Sequence, residues 1–244
     1  MQKIKFGTDG WRAIIAKEFT VENVARVSEA TGKWLLKNYD NPTVFVGHDC
    51  RFAGALFMET SVKVFLSLGL NVRMSEGFVS TPMVSLAANR FNCQVGVVLT
   101  ASHNPPSYNG YKLKADFGGP LAPAHVQEVE DLIVDTCEIN LEDINLDDFK
   151  AMGKLHVDDI ETMYVDHVKA NFDLQAIQNS NMNLIYDAMY GAGQRVLPRI
   201  LPNVNLMHCE HNPSFYGQAP EPIGKNLKEL EAHIKQNPGI DCAL

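Results

Sequence analysis

The stretch Val95-Gly96-Val97-Val98-Leu99-Thr100 constrains this chain most. It is an apolar run rich in β-branched residues, the pattern of a strand buried on both faces, as in a parallel sheet. The sequence then breaks into a polar segment, Ala101-Ser102-His103-Asn104-Pro105-Pro106. Two consecutive prolines fix φ and remove donors, so the segment neither continues a strand nor starts an ordinary helix. Asn109-Gly110 marks a tight turn, since both residues tolerate positive φ. Lys112 follows, ten residues after Ser102. A rigid loop holding out Ser102 is thus expected at the carboxyl end of a buried strand, where open α/β sheets place their ligands.

The flanking pattern alternates. A strand is expected over residues 4–6, and a turn there delivers Trp11 and Arg12. Thr20 caps a helix over 21–37, in which Val24, Val27, Thr31, Trp34 and Leu35 share one face. Strands are expected over 43–47, 71–74, 94–100 and 111–115, with helices over 53–68, 81–89 and 123–134. Gly69 closes the second helix, and Thr81-Pro82 opens the third. This βαβαβ order implies a largely parallel sheet. Residues 138–150 are acidic with little periodicity, so they are expected to form an exposed connection or domain junction. The division is therefore placed between 1–145 and 146–244. In the second part a helix over 158–172 precedes a strand over 183–187, a helix ending near Leu201, and a strand over 204–208. A helix over 226–236 and a strand from Ile240 complete it. The fold class is two consecutive α/β units with largely parallel mixed sheets, the second incomplete.

Composition narrows the function classes. The net charge of −8 argues against non-specific nucleic-acid binding. No run approaches the ~18 apolar residues of a membrane span, and the amino terminus lacks a hydrophobic signal core. Five scattered cysteines without a Cys-x-x-Cys motif fit a reducing, cytoplasmic compartment. An anionic substrate would need local cations to overcome a repulsive overall field. Arg12, Arg51, His103 and Lys112 are the candidates in the first half.

Ser102 has two chemically distinct roles open to it. Acyl transfer needs a base and an oxyanion hole, and the Gly-x-Ser-x-Gly elbow is absent around it. Phosphoryl carriage needs positioning and charge neutralisation instead. An arginine such as Arg12 fits a phosphate with two parallel donors, although spacing alone favours an ordinary surface arginine beside Trp11. Asp49 and Arg51, at another carboxyl strand end, read either as a pair shaping a loop or as substrate contacts. Lys112 and Lys114 share one strand face. His103 reads evenly as a group orienting a phosphorylated serine or as a satisfied loop histidine, and Asn104 as a loop support. Gly191-Ala192-Gly193 lacks the third glycine and the acidic residue of a dinucleotide site, so a plain turn is expected. On a strand, His208 and Glu210 would face away from Cys209 and His211, so the four do not converge on zinc.

Thr100-Ala101-Ser102-His103-Asn104-Pro105 with Asn109-Gly110-Tyr111-Lys112 closely resembles the phosphoserine loop of the α-D-phosphohexomutases, the phosphoglucomutase/phosphomannomutase family. Phe6-Gly7-Thr8-Asp9-Gly10-Trp11-Arg12 is similar to that family's amino-terminal signature, and Asp187-Ala188-Met189-Tyr190-Gly191-Ala192-Gly193 extends the resemblance over nearly the whole chain. The resemblance implies an intramolecular phosphotransferase that interconverts hexose 1-phosphate and 6-phosphate through a phosphoserine and a hexose 1,6-bisphosphate. It implies Ser102 as phosphoryl carrier, Lys112 as proton shuttle, and Arg12 and His103 as catalytic, with Thr8, Gly10, Asn104, Asp49 and Arg51 binding substrate or supporting the loop. It implies Mg2+, held partly by the phosphate on Ser102 and mainly by an Asp-Gly-Asp-x-Asp-Arg loop expected beyond Leu244. The family has four domains, of which this chain would hold the first and most of the second. By itself the chain is thus expected to be an inactive fragment prone to self-association. The alternatives are a phosphoglucosamine mutase, against which Trp11 weighs because that branch typically has Ile there, and a non-catalytic binding fragment.

Overall fold

The computed structural model describes residues 3–7 and 10–244. The chain forms two compact units. One comprises Met1–Asp49, Ala53–Ala101 and Ser107–Ile160; the other comprises Cys50–Phe52, Ser102–Pro106 and Glu161–Leu244.

In the first unit the elements follow as β1 (Trp11–Ile14), α1 (Val21–Asn38), β2 (Thr43–His48), α2 (Gly54–Ser67), β3 (Asn71–Ser75), α3 (Thr81–Arg90), β4 (Val95–Leu99), β5 (Tyr108–Ala115), α4 (Pro123–Asp131), α5 (Leu146–Ala151) and β6 (Leu155–Asp158). The sheet order is β1-β5-β4-β2-β3-β6. Strands β4, β2, β3 and β6 pair in parallel, while β5 runs antiparallel between β4 and β1. Every residue of β4 is buried, as its unbroken apolar run requires. Thr20 caps α1 by accepting from the Asn23 amide at 3.2 Å, and Gly69 ends α2 in the left-handed conformation, φ 86°. Val24, Val27, Trp34 and Leu35 of α1 all enter the core.

In the first unit three expectations of local structure need correction. Asn109-Gly110 is no tight turn: both residues lie within β5, paired with Ala13 and Arg12. Residues 4–6 form no strand: Ile4 and Phe6 are buried, but the Phe6 amide donates to the Glu130 carboxylate (2.8 Å) and not to a sheet neighbour. The first strand is β1, whose Trp11 stacks on Phe19 with ring centroids 4.7 Å apart. The acidic stretch 138–150 is not a bare connection, because Asn140 and Asn145 cap a 3-10 turn (Leu141–Asp143) and α5. Strand β6 carries no sequence signal, because only Leu155 of its four residues is buried, leaving no alternation to read. It pairs in parallel with β3, and Arg73 grips Asp158 through two nitrogens. Both α5 and β6 pack in the first unit.

The second unit continues with α6 (Ile160–Asn171), whose first residue closes the first unit, α7 (Leu174–Asn179), β7 (Leu184–Asp187), α8 (Leu197–Ile200), β8 (Asn205–Met207), α9 (Lys228–Gln236) and β9 (Cys242–Ala243). Its three strands are all parallel, in the order β8-β7-β9. The expected long helix after Gly193 is only the single turn α8. Two glycines and Pro198 make that segment a poor helix former, and turns occupy it instead.

Candidate functional site

Strand β4 delivers the serine loop, and three contacts fix its exit. The Asp49 amide donates to the Leu99 carbonyl (3.0 Å), the Thr100 amide donates to the Gly110 carbonyl (2.9 Å), and the Thr100 hydroxyl donates to the buried Asp49 carboxylate (2.5 Å). Asp49 therefore ties the carboxyl ends of β2 and β4 together. A buried carboxylate stripped of such a donor is costly, on the order of 1–3 kcal/mol.

Beyond this tie the backbone turns. Ser102 is exposed and sits in the left-handed region, φ 56°. That region is unfavourable for a non-glycine residue, and such strain concentrates at functional sites. Its hydroxyl lies 3.5 Å from His103 Nδ1, too long for the short hydrogen bond by which a base activates a serine. The loop is held by Arg51, which is 3% exposed. One guanidinium nitrogen donates to the Pro105 carbonyl (2.8 Å), and another to the carbonyls of Ser102 (2.8 Å) and Asn104 (2.7 Å). The guanidinium carbon also lies 5.1 Å from the centre of the Phe215 ring. A planar donor fork is suited to gathering several carbonyls at once, which a lysine would not do. Arg51 thus contacts the loop itself, and Asp49 the end of the strand that leads into it. Asn104 supports the loop through its backbone carbonyl, and His103 is exposed.

In the first unit, Arg12 and Lys112 occupy one face of the β1–β5 pair. Arg12 is opposite Gly110, and Lys112 lies two residues further along β5, the diagonal neighbour on that face. Lys112 is 6% exposed. Glycines make this arrangement fit. A Cβ on Gly110 would meet the Thr100 carbonyl oxygen at 2.5 Å and the Trp11 carbonyl oxygen at 2.8 Å. One on Gly10, itself at φ 102°, would meet the Tyr111 carbonyl oxygen at 2.6 Å and the Lys112 stem at 2.9 Å. Lys114 shares the face, and its Cβ lies 3.3 Å from where one on Gly96 would stand. Thr8 lies outside the described residues.

Two further groups bear on the chemistry. Burial pushes the Cys93 thiol up to about 12, so it is no nucleophile at neutral pH. His208 leaves its strand at φ 50° and donates toward Asp187 (2.9 Å, Nδ1) and Glu229 (3.0 Å, Nε2), which occupies both ring nitrogens. Among the described residues no group of three or more His, Cys, Asp or Glu is placed to hold a metal ion. Sequence reasoning misses Phe215. It stands in a loop of prolines and glycines with no periodicity to flag it, and only its place beneath Arg51 gives it meaning.

Comparisons with known proteins agree along the chain. The family model described as phosphoglucomutase/phosphomannomutase, alpha/beta/alpha domain I, matches residues 3–138, and the corresponding domain II model matches residues 162–244. A phosphoglucomutase/phosphomannomutase of Thermococcus kodakarensis is 32% identical over 94% of this chain and 50% of its own length. A phosphoglucosamine mutase of Maricaulis maris is 33% identical over 82% of this chain and 44% of its own. The crystal structure of a Thermus thermophilus protein described as a phosphomannomutase superposes with a TM-score of 0.84 at 34% identity, covering 96% of this chain and 52% of that one. The chain thus spans about half the length of the relatives it matches.

Proposed function

The chain belongs to the phosphoglucomutase/phosphomannomutase family, and from that premise we propose that it carries the phosphoryl-transfer serine of a hexose-phosphate mutase. The observation behind this reading is the presentation of Ser102. It is exposed, held in a left-handed conformation at the end of a buried strand, on a loop whose carbonyls are gathered by Arg51. A carrier needs fixed position more than an adjacent base, because phosphoryl transfer is governed by alignment and charge.

In this reading the phosphate on Ser102 passes to a hexose monophosphate. The serine Oγ–P bond breaks, a bond from phosphorus to the sugar hydroxyl oxygen forms, and Lys112 accepts the hydroxyl proton. The resulting bisphosphate returns its other phosphate to Ser102, and the proton goes back to the sugar oxygen. Arg12 aligns phosphate oxygens, Gly10 leaves room for Lys112, and Asn104, Asp49 and Arg51 keep the loop in register. His103 orients the phosphoserine.

The family's magnesium would neutralise charge on the transferring phosphoryl group. A phosphorylated Ser102 would offer it one oxygen, but the described residues do not complete a donor set. A phosphoglucosamine substrate is the second reading. The Maricaulis relative of that name is as similar as the phosphoglucomutase/phosphomannomutase one, so overall identity does not separate them.

Intact-mass measurement and peptide mapping test the carrier. A family-length protein carrying these residues, incubated with a hexose 1,6-bisphosphate, should gain one phosphoryl group on Ser102. Label on another residue with none on Ser102 would overturn the assignment.

A further inference from the structure

The first unit has a cavity of about 340 Å³ along β1. Its lining includes Lys3, Lys5, Arg12, Glu18, Asn23 and Tyr108. Lys3 and Lys5 are exposed, while the intervening Ile4 and the following Phe6 are buried. The two lysines therefore sit on one side of a segment whose apolar side chains anchor it. Glu18 is the acid among the named lining residues, and its carboxylate is engaged. One oxygen accepts from the Ile14 amide (3.3 Å), and the other lies 3.3 Å from Lys17. Asn23 is fixed at both ends of its amide, donating to the Glu18 carbonyl (2.7 Å) and accepting from Arg26 (2.7 Å). The wall beside the lysines is thus already ordered before any ligand enters.

Among the described lining residues, Lys3 and Lys5 set two cations against one engaged carboxylate, giving a local positive field in a chain of net charge −8. A concave, cation-lined surface concentrates anions. The volume is at the small end of the range for small-molecule sites, too small for a polymer. We propose that this cavity is an anion-binding site that takes inorganic phosphate or a small phosphomonoester, with Lys3 and Lys5 as its principal donors. The proposal does not rest on the phosphoryl-transfer reading of Ser102. Arg12 borders the cavity, so an occupant there would bear on a residue that the reaction also uses.

The test is calorimetric titration of the 244-residue chain with inorganic phosphate at low ionic strength. Saturable binding is expected, weakening as salt is raised. The double variant Lys3→Gln/Lys5→Gln should bind at least about tenfold more weakly, since each lysine contributes a charge-assisted contact. Lys5→Gln alone should fall between. Both changes are on the surface, and an unchanged circular dichroism spectrum verifies folding. Ser102→Ala should bind like the unmodified chain. Absence of saturable binding, or equal affinity in the double variant, would overturn the proposal. Loss of binding in Ser102→Ala with none in the lysine variants would place the anion at the serine loop, and would overturn it too.

Discussion

The two units bury apolar side chains to very different depths. In the first, Val44, Val46, Val72, Val95 and Val97 of adjacent strands are all fully buried, and α1 and α2 contribute Trp34, Leu35, Val62 and Phe65. In the second, the three strands are four, three and two residues long, and β8 and β9 are mostly exposed. Polar contacts there stand where apolar ones stand in the first unit. Arg195 and Arg199 converge on Glu161, Asn205 reaches Asn183, and His208 joins Asp187 to Glu229. Partly exposed polar pairs are worth about 1 kcal/mol or less each, against roughly 1.5–3 for burying one large apolar side chain. The second unit should therefore open first, and most local unfolding should be found there.

The largest effect should come from the cores. Phe65→Ala on α2 empties a fully buried site and should cost about 3–5 kcal/mol, whereas Leu230→Ala on α9 should cost about 2. Both tryptophans, Trp11 and Trp34, lie in the first unit, so their fluorescence reports on it while circular dichroism reports on both. In urea, dichroism should begin to fall before fluorescence. Phe65→Ala should shift the fluorescence transition, and Leu230→Ala the early dichroic phase alone. Coincident transitions in the unmodified chain would break the comparison.

A middle-sized effect separates the glycines of the two units. Gly110→Ala would force a Cβ onto two backbone oxygens, which cannot swing aside as a side chain can. It should cost about 1–3 kcal/mol in the fluorescence transition. Gly224 has nothing within 4 Å of its would-be Cβ, so Gly224→Ala should stay within about 0.5 kcal/mol. Equal effects would mean that the packing beneath the Arg12–Lys112 face is looser than these distances imply.

The same contrast decides what could be read from the sequence. Elements of the first unit announce themselves because burial imposes a period: β4 as a solid apolar run, α1 as a stripe ending at Trp34 and Leu35. The place of the loop after β4 is legible for that reason, since a buried strand fixes where its loop must lie. Strand β6 and helix α8 were not, because a half-exposed element leaves only weak alternation, and a Pro-containing turn breaks the helical period. Arg51 could be named as loop support or substrate contact, but its three carbonyl partners lie 51 to 54 residues away. No local pattern encodes such a pairing. Asp49 shows the same limit, since its partner Thr100 becomes adjacent only when β2 and β4 pair.

The smallest effect is also the sharpest, because its sign is fixed. His208 lies between the carboxylates of Asp187, at the end of β7, and Glu229, on α9, with the Tyr190 ring 4.7 Å from its own. Burial works against the charged ring, but hydrogen bonds and attraction from Asp187 and then Glu229 outweigh it, and its pKa is raised above 6.5. Tyr190 stays neutral beside it, its phenol pushed up to about 12 by burial and neighbouring carboxylates. A group whose folded pKa is raised stabilises fully below its unfolded value, and that contribution is lost as pH rises through the folded value. The early dichroic phase should therefore move to lower urea as pH climbs from about 6.5 through the raised value. The change should be under about 1 kcal/mol, the scale of partly exposed ion pairs. His208→Gln should flatten this dependence while leaving the fluorescence transition untouched. Were the second unit instead to gain stability over that interval, neutral His208 would be the preferred form, and the two carboxylates would not be holding an imidazolium.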